Sequence, residues 1–274
     1  MNTGNYFLKT GKHGENRLDI LNEVFSESSH SLLLKAGMNK GGSVLEIGCG
    51  TGNMTCWLAE QVGKFGHVYA LDISAEQIEV AKRRAMKKNL KNITFIQCPI
   101  SDLHLTDLPL VDIVYTRFVL VYLTHPFQAL EHILLFLKNG GQMICEEACN
   151  SATYCYPFSS AIYKSRQLFL ELAKQKGLDF DLGEKLYFYF HQLNFRNIHT
   201  QFIQPIYHTK QQKHLILLTF IEASQKYFEH SLIGNDEIKQ LTMELTQCIE
   251  DDSYLMSFPR TTQIYGQKIG NKNR

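Results

Sequence analysis

Two carboxylates bracket a run of alternating glycines near the start of the chain: Glu46, then Gly48, Gly50 and Gly52 within VLEIGCGTGNMT, then Asp72 at the end of HVYALD. Glycines at this spacing let the backbone turn tightly and let a ligand approach bare main chain. The loop reads G-x-G-x-G, with Asn53 where the dinucleotide fingerprint places its third glycine, so a pyrophosphate is not the favoured guest. Glu46 points the same way, because a carboxylate two residues before the first glycine repels a pyrophosphate and attracts an ammonium or sulfonium group. Asp72 stands about twenty residues past the loop, where a carboxylate can bridge two ribose hydroxyls. A ribose combined with positive charge is the chemistry of S-adenosylmethionine, which is the expected cofactor. Nicotinamide enzymes share the position of Asp72 but need the third glycine and a compatible charge at position 46.

These residues require strands that end at the loop. SVLEI, VYALD, ITFIQC (93 to 98), VDIVYTRF (111 to 118) and GQMICEEA (141 to 148) read as five strands. Between them, MTCWLAEQVG reads as a helix, SAEQIEVAKRRAMKKNL (74 to 90) as a helix capped by Ser74 with Gln77 completing the capping box, and FQALEHILLFLKN (127 to 139) as a third. A helix over 18 to 38, ending near Gly37, precedes them. Strands alternating with helices predict an α/β, doubly wound, parallel sheet. Past residue 150 the rhythm changes to an aromatic loop, a helix through residue 177, a helix over 182 to 195, a sixth strand IHTQFIQPIYH, helical text, and a last strand TTQIYGQKI. Insertions after the fifth and sixth strands lie over the carboxyl ends of the sheet, so they are expected to cap the site. The expected organisation is a single domain, 1–274, with an N-terminal arm 1–40, a core 41–149 and cap insertions about 150–178 and 209–255.

The chain has 274 residues, a net charge of +1 and 44% hydrophobic residues, which suits one large α/β domain. Near-neutral charge without a basic block argues against nucleic acid or an anionic membrane as the main partner and for a small-molecule acceptor. No apolar run reaches the length of a membrane span and no signal peptide is evident, so a cytoplasmic protein is expected. The seven cysteines include no Cys-x-x-Cys pair, and reduced thiols are expected. Cys145, Cys149 and Cys155 lack a suitably spaced histidine, so no metal is expected.

Over nearly its whole length the sequence resembles class I S-adenosylmethionine-dependent methyltransferases. VLEIGCGTGN is similar to their glycine motif, ALDIS to their acidic second strand, and FVLVYLTHPFQALEHILLFLKNGGQMICEE to the segment joining their fourth and fifth strands. The resemblance implies a Rossmann-like, doubly wound, seven-stranded, mostly parallel sheet with helical cap insertions. It also implies a cofactor site of Glu46, Gly48, Cys49, Gly50, Gly52, Asn53, Met54, Asp72, Ile73, Gln77, Ile100, Ser101, Arg117, Phe118 and Tyr122. YFLKTGKHGENRL is similar to arms of small-molecule methyltransferases in which an aromatic and an arginine fold over the cofactor, implying Tyr6 and Arg17. One departure is Pro99, which stands where family members carry an acid for the adenine amino group; either Asp102 substitutes, or the backbone at Ile100 and Ser101 holds adenine.

Methyl transfer from a sulfonium is an in-line displacement that depends chiefly on alignment and exclusion of water, contributions worth up to roughly 7–11 kcal/mol. A base within hydrogen-bond reach helps where the acceptor is a hydroxyl or a protonated amine, and His125, Glu146, Glu147, Tyr122 and His191 are the candidates. Plainer uses stand beside these: His125 as a cap of the helix beginning at Pro126, and one of Glu146 and Glu147 as a surface charge with the other facing the pocket. Arg117, after the fourth strand, either meets the cofactor's carboxylate or pairs with Asp112 or another acid. Tyr154, Tyr156, Phe158, Tyr187, Tyr189 and Phe190 either line an acceptor pocket or pack structurally. YTRF replaces the Asn/Asp-Pro-Pro-aromatic motif of base and amide methylation, leaving O- or N-methylation of a small molecule as the leading function. A noncatalytic S-adenosylmethionine or S-adenosylhomocysteine binder and a protein or peptide methyltransferase stay open, as does the oligomeric state, a homodimer included.

Overall fold

A computed structural model describes Leu8 and residues 10 to 270, excepting the side chains of residues 11 to 13. Helix α1 (Gly11–Lys35) precedes β1 (Ser43–Ile47), α2 (Asn53–Val62), β2 (His67–Asp72), α3 (Ala75–Lys87), β3 (Ile93–Gln97) and β4 (Val111–Arg117). There follow α4 (Pro126–Leu134), β5 (Leu137–Cys149), β6 (Cys155–Tyr156), α5 (Ser160–Gln175), α6 (Leu186–Gln192) and β7 (Arg196–Ile203), then α7 (Lys210–Glu229), α8 (Asn235–Glu250), β8 (Leu255–Met256) and β9 (Arg260–Gln267).

Seven strands form one sheet in the order β3-β2-β1-β4-β5-β9-β7, parallel through β5, with β9 antiparallel to both its neighbours. The expected seven-stranded, mostly parallel α/β sheet is therefore observed. Its central strands β1 and β4 are buried on both faces, as a sheet covered on both sides requires, whereas the edge strand β7 is largely exposed. Val44, Ile113, Tyr115 and Ile144 pack toward α2 and the end of α1, whereas Leu45, Val114, Met143 and Cys145 pack into the larger cluster that extends to α4, α5 and α7. Alternation with period two places these neighbouring residues in opposite layers.

Local chemistry sets the element ends. Ser74 caps α3, its hydroxyl accepting from Gln77 N at 3.3 Å, and Thr209 with Gln212 forms a full capping box on α7. Three expectations shift. Helix α1 begins at Gly11 rather than residue 18. The helix expected over 127 to 139 stops at Leu134 and its tail becomes the start of β5, because Gly140 (φ +81°) suits a strand irregularity and Leu137 pairs with Val111. The helix expected over 182 to 195 divides into a short turn at Leu182–Glu184 and α6, where Gly183 packs so closely on β5 that a Cβ would lie 2.5 Å from Glu147 O. The two-residue pairing of β6 with β8 was not expected; it joins the two inserted segments to each other.

A buried polar cluster locks β4, β5, β9 and α1 together. Glu146 is fully buried and accepts from Tyr115 Oη (2.6 Å), Ser29 Oγ (3.0 Å) and Gln263 Nε2 (2.6 Å). Removing one donor leaves a buried carboxyl group undersatisfied, which costs about 1–3 kcal/mol. Tyr115→Phe is expected to lower the unfolding free energy by about that amount in urea denaturation. Unchanged stability would show that the cluster does not hold these elements.

Candidate cofactor and acceptor site

The strand order reverses between β1 and β4, and a crevice at the carboxyl ends of the strands opens at such a point. A cavity of about 700 Å³ lies there, within the range of small-molecule sites. One wall is built from the glycine loop. Gly50 N donates to Asp72 Oδ2 and Ser74 N to Asp72 Oδ1, each at 2.8 Å, so one carboxylate fixes both the loop after β1 and the start of α3. At Gly50 (φ +52°) the nearest atom to a built Cβ is Leu18 Cδ1 at 3.6 Å, and the backbone faces the cavity. Gly52 (φ +79°) differs: it does not line the cavity, and a Cβ there would meet Ala81 Cβ at 2.7 Å. Gly52 serves the close packing of the loop on α3, which corrects its reading as a cofactor contact.

Glu46 is 3% exposed, lines the cavity and accepts from Thr55 Oγ1 at 2.5 Å. Burial pushes its carboxyl up to about 7; the Thr55 bond and the Arg117 charge oppose the rise, and Asp72 adds to it. Burial also raises Asp72, against the three backbone N–H bonds it receives. Gln77 Oε1 is buried at the same wall without a partner. The open backbone of Gly50, the carboxylates of Asp72 and Glu46 and the unpaired Gln77 oxygen together fit a ligand with ribose hydroxyls and a cationic group.

The remaining sequence-derived positions sort cleanly. Arg17, Gly48, Cys49, Asn53, Met54, Ile73, Ile100, Ser101, Arg117, Phe118, Tyr122 and His125 all line this cavity. Tyr6 lies outside the described residues. Arg117 does not pair with Asp112, which binds Ser43 and Lys138 instead; its guanidinium donates to Ser29 Oγ and Asn22 Oδ1, both at 3.1 Å. Phe118 adopts φ +55°, a costly conformation for a bulky residue, and packs edge-on against Phe25 at 5.1 Å. Asp102 is exposed and off the cavity, taking a bond from Ser101 Oγ, which does not suit it to replace the missing adenine acid; Pro99, Ile100 and Ser101 line the cavity.

Glu146 and Glu147 do not face the cavity, contrary to expectation. Both are fully buried; Glu147 Oε1 accepts from Val119 N (3.0 Å) and Leu120 N (2.8 Å), its Oε2 is unpaired, and burial pushes its carboxyl up to about 8. Glu147 braces the turn after β4. His191 also misses the cavity and packs on the Tyr187 ring at 4.6 Å. Among the aromatics singled out above, Tyr154, Tyr156, Phe158 and Tyr187 are exposed, while Tyr189 and Phe190 pack structurally. The aromatic wall comes instead from Phe25, Phe169, Phe180, Tyr207, Phe220 and Phe258. His125 occupies the N-cap position of α4 but makes no side-chain capping bond. Gln128 and His132 line the cavity with it at offsets of three and seven, one helical face whose spacing was visible in the sequence and passed over.

Among the described residues no helix is long and apolar enough to cross a membrane, and no group of three or more His, Cys, Asp or Glu could hold a metal ion.

The fold and loop are those of class I S-adenosylmethionine-dependent methyltransferases. A profile of the family described as "Methyltransferase domain" matches residues 38–198, and the chain belongs to that family. It is similar to the demethylmenaquinone methyltransferase of Lactococcus lactis (30% identity over 150 residues, 53% of this chain and 59% of that one). It is also similar to the ubiquinone/menaquinone biosynthesis C-methyltransferase of Ectopseudomonas mendocina (32% over 137 residues, 48% and 53%). The chain thus spans little more than half the length of these relatives. Among solved structures it matches the Haemonchus contortus phosphoethanolamine N-methyltransferase 2 complex with phosphomonomethylethanolamine and S-adenosylhomocysteine (18% identity, TM-score 0.56, 92% of this chain and 56% of that one). YcgJ of Bacillus subtilis matches at 15% identity and TM-score 0.57, over 89% of this chain and all of that one. At these identities the structural matches establish the fold.

The raised Glu46 carboxyl gives a signed pH dependence. Its neutral form stabilises the free protein fully below pH 4.5, and that contribution is lost as pH rises through about 7. A cationic ligand favours the ionised form, so binding below pH 7 must release a proton. S-adenosylmethionine affinity is expected to rise between pH 5.5 and 7.5 by up to about tenfold per unit, and Glu46→Gln to flatten the profile. Calorimetry at pH 6 in two buffers of different ionisation enthalpy measures the proton; none released would remove Glu46 from the cation site. Asp72→Ala is expected to reduce cofactor affinity at least about tenfold, by unpairing the ribose hydroxyls and freeing Gly50 N and Ser74 N.

Proposed function

We propose that the protein transfers a methyl group from S-adenosylmethionine to a small, largely apolar acceptor enclosed beneath the cap. The observation that carries this reading is the continuity of one cavity from the glycine loop to the cap, formed by the segments 150–178 and 209–255 of what we take as one methyltransferase domain. S-adenosylmethionine, when bound, supplies an electrophilic methyl on a positively charged sulfur. Asp72, Gly50 and Gln77 hold and orient its ribose end, Glu46 meets the cationic end, and the backbone at Ile100 and Ser101 holds the adenine. Phe25, Phe118 and Phe258, joined edge-on at 5.1 and 5.4 Å, exclude water between the two halves. His125, with no capping bond to occupy it, is the group placed to take a proton from the acceptor.

The printed activities of the relatives, one of them C-methylation, support transfer to a small molecule and make carbon an acceptor atom to weigh beside oxygen and nitrogen. The matched region ends at residue 198, however, whereas Tyr207, Leu215, Phe220, Tyr227 and Phe258 of the cavity lie beyond it. The acceptor therefore does not carry over with the loop.

Calorimetric titration of the full chain with S-adenosylmethionine, S-adenosylhomocysteine and NAD tests the reading. Binding of the first two and not the third is expected; NAD alone would overturn it. With turnover followed as S-adenosylhomocysteine release in a small-molecule extract, His125→Ala is expected to reduce the rate by about 100-fold at unchanged cofactor affinity. Full turnover in that variant would remove His125 from the chemistry.

A further inference from the structure

The acceptor half of the cavity contains two phenol hydroxyls that the protein leaves unpaired. Tyr207, between β7 and α7, is 9% exposed and stacks on Phe258 with centroids 3.9 Å apart. Tyr227, on α7, is 1% exposed and lies tilted against Phe220 at 5.6 Å. Both line the cavity. Among the described residues neither hydroxyl meets a hydrogen-bond partner, and neither is among the polar atoms sealed in the interior. Buried tyrosines normally find a partner, as the Tyr115 hydroxyl does on Glu146 at 2.6 Å. A free donor held at an apolar cavity wall is accounted for when a ligand oxygen completes it.

Charge narrows the ligand. Glu46 and Asp72 are the carboxylates among the cavity's described lining residues, and both stand on the cofactor wall. The acceptor half offers His125, Gln128, His132 and Arg166, and the Arg166 guanidinium already donates to Thr153 O at 2.8 Å and Ser151 O at 3.4 Å. A protonated amine would lose its hydration there without a carboxylate to replace it, whereas an oxygen acceptor would gain donors.

We propose that Tyr207 and Tyr227 bind the methyl acceptor through a hydrogen-bond-accepting oxygen. The acceptor is an uncharged or anionic oxygen-bearing molecule with a largely apolar body, and not a protonated amine. This rests on the methyltransferase reading and sets the substrate class of the same site. Both tyrosines lie beyond residue 198, where the match to the family profile ends.

The test uses the full chain saturated with S-adenosylhomocysteine and three probes of one apolar body: naphthol, naphthoate and naphthylmethylamine. Naphthol or naphthoate is expected to bind at least about tenfold more tightly than the amine, and Tyr207→Phe and Tyr227→Phe each to weaken that binding about fivefold. Neither substitution removes a bond within the protein, so melting temperature and S-adenosylhomocysteine affinity are expected to hold or rise. Equal or tighter binding of the amine, no binding of any probe, unchanged affinity in both variants, or a fall in melting temperature would overturn the inference. Failure of the unmodified chain to bind S-adenosylhomocysteine would overturn the methyltransferase reading and this inference with it.

Discussion

The carboxylate of Asp72 is the point on which the site depends. It sits at the end of β2 and accepts from Gly50 N and Ser74 N, at 2.8 Å each. One side chain thereby fixes the glycine loop of the neighbouring strand and the first turn of the following helix. Parallel pairing of β1 with β2 brings these segments side by side: Ile47 stands opposite Leu71, and Gly48 N and Cys49 N both donate to Leu71 O. The loop is thus tied by backbone and side-chain hydrogen bonds to two central strands, and a wall held in this way loses less freedom when a ligand binds.

Burial gives the carboxylates of this end of the sheet different tasks. Glu46, Glu146 and Glu147 are all nearly or wholly inaccessible, yet only Glu46 borders the cavity. Glu146 is saturated by three donors, and Glu147 holds the two amides that shape the turn after β4. That turn places Phe118 in its positive-φ conformation beside Phe25, at the junction of the two halves of the cavity. The strain at Phe118 is offset by Glu147 from behind, and the charge left to act on a ligand is concentrated at Glu46 and Asp72.

Sequence reading succeeded where a short-range rule forces a residue type. Alternating glycines, acids at strand ends, and a serine cap each leave a local trace, and the cofactor wall is built from such positions. It failed where three-dimensional arrangement decides. Adjacent acids at a strand end suggested one pocket-facing residue, but β9 pairs alongside β5 and covers Glu146 with Gln263, while Gly183 packs over the backbone of Glu147. The aromatics of TYCYPFSS looked like pocket material, yet the pairing of β6 with β8 turns Tyr156 outward at 65% exposure. The true aromatic wall draws on α1, on α5, on the loop before α6, on α7 and the segment preceding it, and on the segment before β9, positions too distant in sequence for spacing to reveal.

The same contrast explains how far kinship reaches. The family profile matches residues 38–198, the segment that holds the glycine loop, Asp72 and the turn after β4. No comparable constraint acts on the cap: a wall of Phe and Tyr side chains can be assembled from many sequences, provided it is apolar and carries a few donors. Specificity in a wall of that kind comes from its polar exceptions. In the wall of this cavity such exceptions are His125 and His132 at α4, Tyr207 just before α7 and Tyr227 on α7, the last two beyond residue 198. On the acceptor class proposed above, a phenol in an apolar wall without a partner in the protein gives its hydrogen bond to the matching ligand oxygen, whereas a ligand lacking that oxygen leaves the hydroxyl desolvated and unpaired, at about 1–3 kcal/mol. Discrimination of this kind favours the molecule that carries the oxygen over an otherwise identical one that lacks it, which a purely hydrophobic cap could not do.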